Sequence, residues 1–139
     1  MTRKKSAFPR EVFLSHASQD RQFVKWLRDQ LRQHGIRVWH SDTHIVGAQK
    51  WHDAIGKALK RCDWFLVVLS PASVRSIWVQ RELFFALEQS RYNNRIVPAV
   101  YRACNVKKLS WTLSSMQSVA FTKSRVDGLA ELLRIWGIR

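Results

Sequence analysis

Trp64-Phe65-Leu66-Val67-Val68-Leu69-Ser70-Pro71-Ala72-Ser73-Val74-Arg75-Ser76-Ile77-Trp78-Val79-Gln80-Arg81-Glu82-Leu83 is the stretch around which the rest of the chain can be ordered. Its first six residues are apolar without alternation, the mark of a strand covered on both faces. A short polar segment follows, and Val79, Leu83, Ala86 and Leu87 then fall on one face of a helix over roughly 76–91. The stretch therefore reads as the carboxyl end of a buried strand, a loop and the opening of a helix. In open α/β sheets that is where ligands bind. Glu82 lies four residues after Trp78, so the two share a helix face. Glu82 is the candidate catalytic carboxyl, with Trp78 as a wall of its pocket.

Strands and helices alternate on either side. Residues 1–10 read as a flexible basic arm ending near Pro9, and residues 11–139 as one domain. Glu11 to Ser18 is a strand running into a polar loop. Phe23, Val24, Leu27 and Leu31 mark a helix over 20–34, with Asp20 as cap and Gly35 as stop. Ile36 to His40 is a second strand, and Ser41 to Lys50 a polar loop. Trp51, Ile55, Ala58 and Leu59 mark a second helix, ending near Cys62. Arg95 to Tyr101 is a fourth strand, placed near an edge or at a strand end by Pro98. Residues 102–118 are poorly patterned, Ser118 to Thr122 is a fifth strand, and Val126 to Trp136 a last amphipathic helix. Such alternation calls for an α/β fold: a parallel sheet with helices on both faces.

Composition narrows the function. No apolar run approaches a membrane span, and the N-terminus lacks the apolar stretch of a signal peptide, so a cytosolic setting is expected. The two cysteines, Cys62 and Cys104, make neither a metal pattern nor a disulfide framework. His40 and His44 are spaced over a loop, not a helix face, and no metal site is expected. A net charge of +14 suggests an acidic partner. The basic residues are dispersed, however, which fits solvated faces better than direct nucleic-acid binding. There is no glycine-rich phosphate loop and no nucleophile elbow.

The carboxyl edge of the expected sheet collects Ser15, His16 and Ala17, then Ser41, Asp42 and Thr43, then Ser70 and Ser73, with Trp78 and Glu82 behind them. This is a hydroxyl-rich cleft with two candidate carboxylates. The alternative is plainer: serine and aspartate follow strands because they cap helices and make turns. For Glu82 the alternative is a solvated helix charge. Composition and spacing leave both open.

The order Val12-Phe13-Leu14-Ser15-His16-Ala17-Ser18, Gly35-Ile36-Arg37-Val38-Trp39, Asp42, Gly47 with Trp51, Val67-Val68-Leu69-Ser70 and Ser76 to Leu83 resembles a TIR domain, the bacterial branch in particular. The match runs over about residues 11–101 and weakens beyond Arg102. The resemblance implies a flavodoxin-like three-layer sandwich built on five parallel strands. It implies one of two activities: cleavage of NAD+ at the nicotinamide–ribose bond, giving nicotinamide and ADP-ribose or a cyclic isomer, or self-association as a non-enzymatic adaptor. It also implies TIR–TIR homo-oligomers in bacterial defence or signalling, and a sensor domain on the same chain or on a partner. The family's catalytic glutamate lies in a W-x-x-x-E segment, here Trp78 to Glu82, and its mobile loop corresponds to Ser41 to Lys50.

That chemistry suits one carboxylate. Glycoside hydrolysis usually needs a second carboxyl to protonate the leaving group. Nicotinamide bound as a pyridinium leaves neutral and needs no acid, and a single carboxylate can stabilise the oxocarbenium-like cation. NAD+ would be substrate, with no cofactor. Phe13, Trp51 and Trp78 are expected to stack on flat rings. Ser15, His16 and Ser70 are expected to bond ribose or diphosphate, Asp42 to hold the loop or the ligand, and Arg75 and Arg81 to meet the diphosphate.

Overall fold

The computed structural model describes residues 7–40 and 48–138, with the first four residues of the second segment as backbone only. Five strands, β1 (Val12–Ser15), β2 (Val38–His40), β3 (Trp64–Leu69), β4 (Ile96–Val100) and β5 (Val119–Ala120), form one sheet in the order β2-β1-β3-β4-β5. Every pairing is parallel. The helices are α1 (Arg21–Gln33), α2 (Ala48–Arg61), α3 (Ile77–Leu87) and α4 (Arg125–Ile135). Among the described residues no helix is long and apolar enough to cross a membrane.

Strand parity decides which helix covers which face. Side chains alternate across a strand. Val12, Leu14, Leu66 and Val68 point to one side, where α1 supplies Phe23, Val24, Leu27 and Leu31, α4 supplies Leu132 and Leu133, and Trp136 follows at its C-cap. Phe13, Phe65, Val67 and Leu69 point to the other, against Ile55, Ala58 and Leu59 of α2 and Val79, Leu83 and Ala86 of α3. All six residues of β3 are buried, which is why it is apolar throughout. Each such Leu or Phe contributes about 1.5–3 kcal/mol on leaving water.

Local signals set the element ends. Gly35, at φ +79°, ends α1. Its N–H donates to Arg32 O, and Ile36 N–H donates to Leu31 O, closing the helix by the left-handed turn that glycine permits. Ser76 caps α3 by accepting from Val79 N–H at 3.3 Å. At the opposite edge Asp63 accepts from the backbone N–H groups of Arg10 and Glu11, and Arg61 pairs with Glu11 at 2.8 Å. Packing extends back to Ala7, which lies against the α1–α4 core.

Two elements sharpen the sequence reading. The third helix stops at Leu87 and is followed by a 3-10 turn, Ser90–Tyr92, that buries Tyr92. The fourth strand lies one strand in from the edge, between β3 and β5, near the edge as Pro98 suggests. Proline is tolerated because of where its nitrogen points. Arg95 O and Tyr101 N bond to β3, whereas Val100 O accepts from Phe121 N–H on the β5 side. Even-numbered residues of β4 thus present their polar groups to β5, and its pairing covers only Ala99 and Val100. Pro98 falls just before that pairing begins, so its missing N–H breaks no ladder bond. The unpatterned 102–118 region holds two 3-10 turns, Val106–Lys108 and Trp111–Ser115.

Candidate active site

Glu82 sits inside the buried stripe of α3 formed by Val79, Leu83 and Ala86, not on its solvent face. It is 4% exposed. The stripe packs on the face of the sheet that Phe13 and Ser15 share by parity. Ser15, the last residue of β1 and 1% exposed, donates its hydroxyl to Glu82 Oε1 at 2.7 Å. The carboxyl end of the first strand and the middle of the third helix therefore meet in one hydrogen bond. This is the crevice between β1 and β3, where the strand order reverses. Burial pushes the Glu82 carboxyl up to about 7, with the Ser15 hydroxyl pulling the other way. A carboxyl held there is partly ionised at neutral pH, and a cation placed beside it would complete the ionisation.

Trp78 is half-buried one turn earlier on α3. His52 of α2 lies against it with ring centroids 5.1 Å apart, and the Arg81 guanidinium stands 5.1 Å from its ring centre. Trp78 thus joins α2 to α3 beside the carboxyl, and Arg81 lies over the indole. On the neighbouring side, His16 meets His40 edge-on at 5.8 Å, and Arg28 donates to His40 Nε2 at 3.2 Å. These contacts link the ends of β1 and β2 to α1.

The remaining candidates divide. Phe13 is 0% exposed and stacked between Trp39 and Phe65 at 5.0 and 5.4 Å, so both its faces belong to the core and none is left for a ligand ring. Ser70 belongs to the other face of the sheet. Its hydroxyl donates to Asp20 and accepts from Ser73 N–H, which keeps it out of the Glu82 crevice. Asp42 lies outside the described residues, as does the Trp51 side chain. His40 and His52, which are not among the sequence candidates, both stand at the site's rim. Their only signal was position: one ends a strand at the carboxyl edge, the other opens the helix after the loop.

A family model described as TIR domain matches residues 12–133. The chain belongs to the TIR domain family. Over 136 residues it is 32% identical to a Paracoccus denitrificans protein named NAD(+) hydrolase PdTIR, covering 94% of this chain and 45% of that protein. Over 124 residues it is 31% identical to 2' cyclic ADP-D-ribose synthase AbTIR of Acinetobacter baumannii, covering 88% of this chain and 46% of that protein. The chain thus spans about half the length of the curated relatives it matches. The TIR domain of the Toll-related receptor TRR-2 from Hydra magnipapillata has the same fold, with a TM-score of 0.74 at 21% identity over 91% of this chain and 97% of that one. In TIR terms, Trp78 to Glu82 is the W-x-x-x-E segment, and the fold turns its glutamate inward to Ser15.

Proposed function

We propose that this TIR domain cleaves NAD+ at the nicotinamide–ribose bond, with Glu82 as the catalytic carboxylate. The observation that carries the reading is the Glu82 carboxyl, buried at the strand-order reversal, raised by burial to about 7 and oriented by the Ser15 hydroxyl. The names of the bacterial relatives, an NAD(+) hydrolase and a cyclic ADP-ribose synthase, point to the same bond.

In the proposed reaction the pyridinium nitrogen of bound NAD+ takes the electron pair of its bond to ribose, and nicotinamide departs neutral. Glu82, ionised in the presence of the cation, accepts a hydrogen bond from a ribose hydroxyl and offsets the positive charge developing on the ring. Water addition to the anomeric carbon then releases a proton and gives ADP-ribose. Attack by a hydroxyl of the same molecule, with loss of its proton, gives a cyclic isomer. Ser15 holds the carboxylate in place. Trp78 and His52 wall the crevice on the α2 side. The proposal extends to activation by side-by-side packing of copies and to a cytoplasmic role in bacterial defence or signalling.

The test is incubation of concentrated protein with NAD+, followed by chromatography for nicotinamide, with Glu82→Gln alongside. Release by wild type and its loss in a folded variant are expected. Equal release by both proteins would exclude Glu82. No release at any protein concentration would favour a non-enzymatic interaction module.

A further inference from the structure

The carboxyl edge of the sheet carries a second cavity, on the α1–α4 side and away from Glu82. It has a volume of about 270 Å³ and is lined by residues that include Asp20, Ser70, Arg75, Tyr101 and Arg102. They come from the ends of β1, β3 and β4, which the parallel sheet brings together at one rim. Asp20 is 6% exposed and receives the Ser70 hydroxyl. Burial raises its carboxyl above the usual range, against the pull of the Ser70 bond and the Arg102 charge.

Arg102 acts on that carboxylate by charge without closing an ion pair with it among the described residues. The ion pairs of the described residues join Arg28 to Asp29, Arg61 to Glu11 and Arg95 to Asp63, and neither Arg75 nor Arg102 takes part in them. Arg102 is exposed and donates to the Tyr101 hydroxyl at 3.3 Å. Arg125, at the first turn of α4, lies over Tyr101 with its guanidinium 6.0 Å from the ring centre and adds positive charge to that side. The cavity thus has two guanidiniums in its lining that close no ion pair among the described residues, and a buried carboxylate beside them. Guanidiniums match phosphate oxygens in geometry and charge. A buried carboxylate accepts hydrogen bonds from hydroxyl groups and repels a phosphate.

We propose that this cavity binds a sugar phosphate, with the phosphate on Arg75 and Arg102 and a sugar hydroxyl donating to Asp20. The site is separate from the crevice of Glu82, which contributes nothing to its lining.

Titration of ribose 5-phosphate into the full chain, with inorganic phosphate as the second probe, tests this. Calorimetry reads affinity and backbone amide shifts read location. Saturable binding of ribose 5-phosphate is expected, with shifts at Gln19, Ala72 and Tyr101. Arg75→Ala/Arg102→Ala, which alters only exposed side chains, is expected to weaken it by about tenfold or more, whereas Glu82→Gln leaves it unchanged. Inorganic phosphate is expected to bind several-fold more weakly, since it offers no sugar hydroxyl to Asp20. Lack of saturation, equal affinity in the arginine variant, or shifts centred on Glu82 would each overturn the proposal. Equal affinity for the two probes would overturn the part assigned to Asp20.

Discussion

Glu82→Gln is expected to stabilise the fold at alkaline pH, by an amount that grows through a defined window. The wild-type carboxyl titrates near 4.5 when unfolded and at about 7 in the folded chain. Below pH 4.5 both states are protonated and burial costs nothing in charge. Between 4.5 and 7 the folded state keeps a proton that the unfolded chain has released, so stability falls as pH rises. Above 7 the loss is complete. A displacement of this size corresponds to about 3 kcal/mol. The variant stays neutral, keeps an oxygen to accept the Ser15 hydroxyl, and escapes that loss. For a domain of this length the Tm of the variant relative to wild type should rise by about 10 °C between pH 4.5 and pH 8. Differential scanning calorimetry in matched buffers across that range reads it. A Tm difference that stays flat with pH would refute the claim that burial dominates the Glu82 carboxyl. The same protein should release no nicotinamide, so stability would be gained at the expense of activity.

Ser15→Ala removes the Ser15 hydroxyl bond that favours the ionised carboxylate, a charge-assisted bond between two buried groups. The acidic limb of the pH–rate profile should move up by about one unit, with activity falling more at pH 6.5 than at pH 8.5. An unmoved limb with a raised KM would instead make Ser15 a direct substrate contact. Gly128→Ala would place a methyl 2.5 Å from Phe121 Cδ1 and 2.7 Å from Ala120 O, where α4 crosses the β5 end. Urea unfolding should show a loss of about 1–3 kcal/mol or more. An unchanged midpoint would mean that α4 shifts freely on the sheet.

Much of the site was legible at the level of residues and little at the level of partners. The resemblance to a TIR domain singled out Glu82 through its W-x-x-x-E segment, and strand ends singled out Ser15, His16 and Ser70. Spacing could not say that Ser15 faces Glu82 and Ser70 faces Asp20, because that depends on strand parity carried through to the helix packed above. Phe13 is among the aromatics expected from the sequence to stack on a flat ligand ring. Parity instead turns it into the core between Trp39 and Phe65. Pro98 pointed to a strand near an edge or to a strand end, and the two-residue pairing of β5 shows how the strand next to the edge carries it.

By itself the sequence determined the layering. An unbroken apolar β3, alternating amphipathic helices and a glycine after α1 leave an α/β parallel sheet as the arrangement that buries the apolar residues and closes the helix ends. Tertiary structure alone decided the chemistry of the carboxyls. Glu82 and Asp20 are acidic residues of similar intrinsic strength until the fold withdraws them from water and gives each a serine hydroxyl, on opposite faces of one sheet. Desolvation is a property of the surroundings, assembled from residues far apart in the chain. No local pattern around Trp78 to Glu82 encodes it.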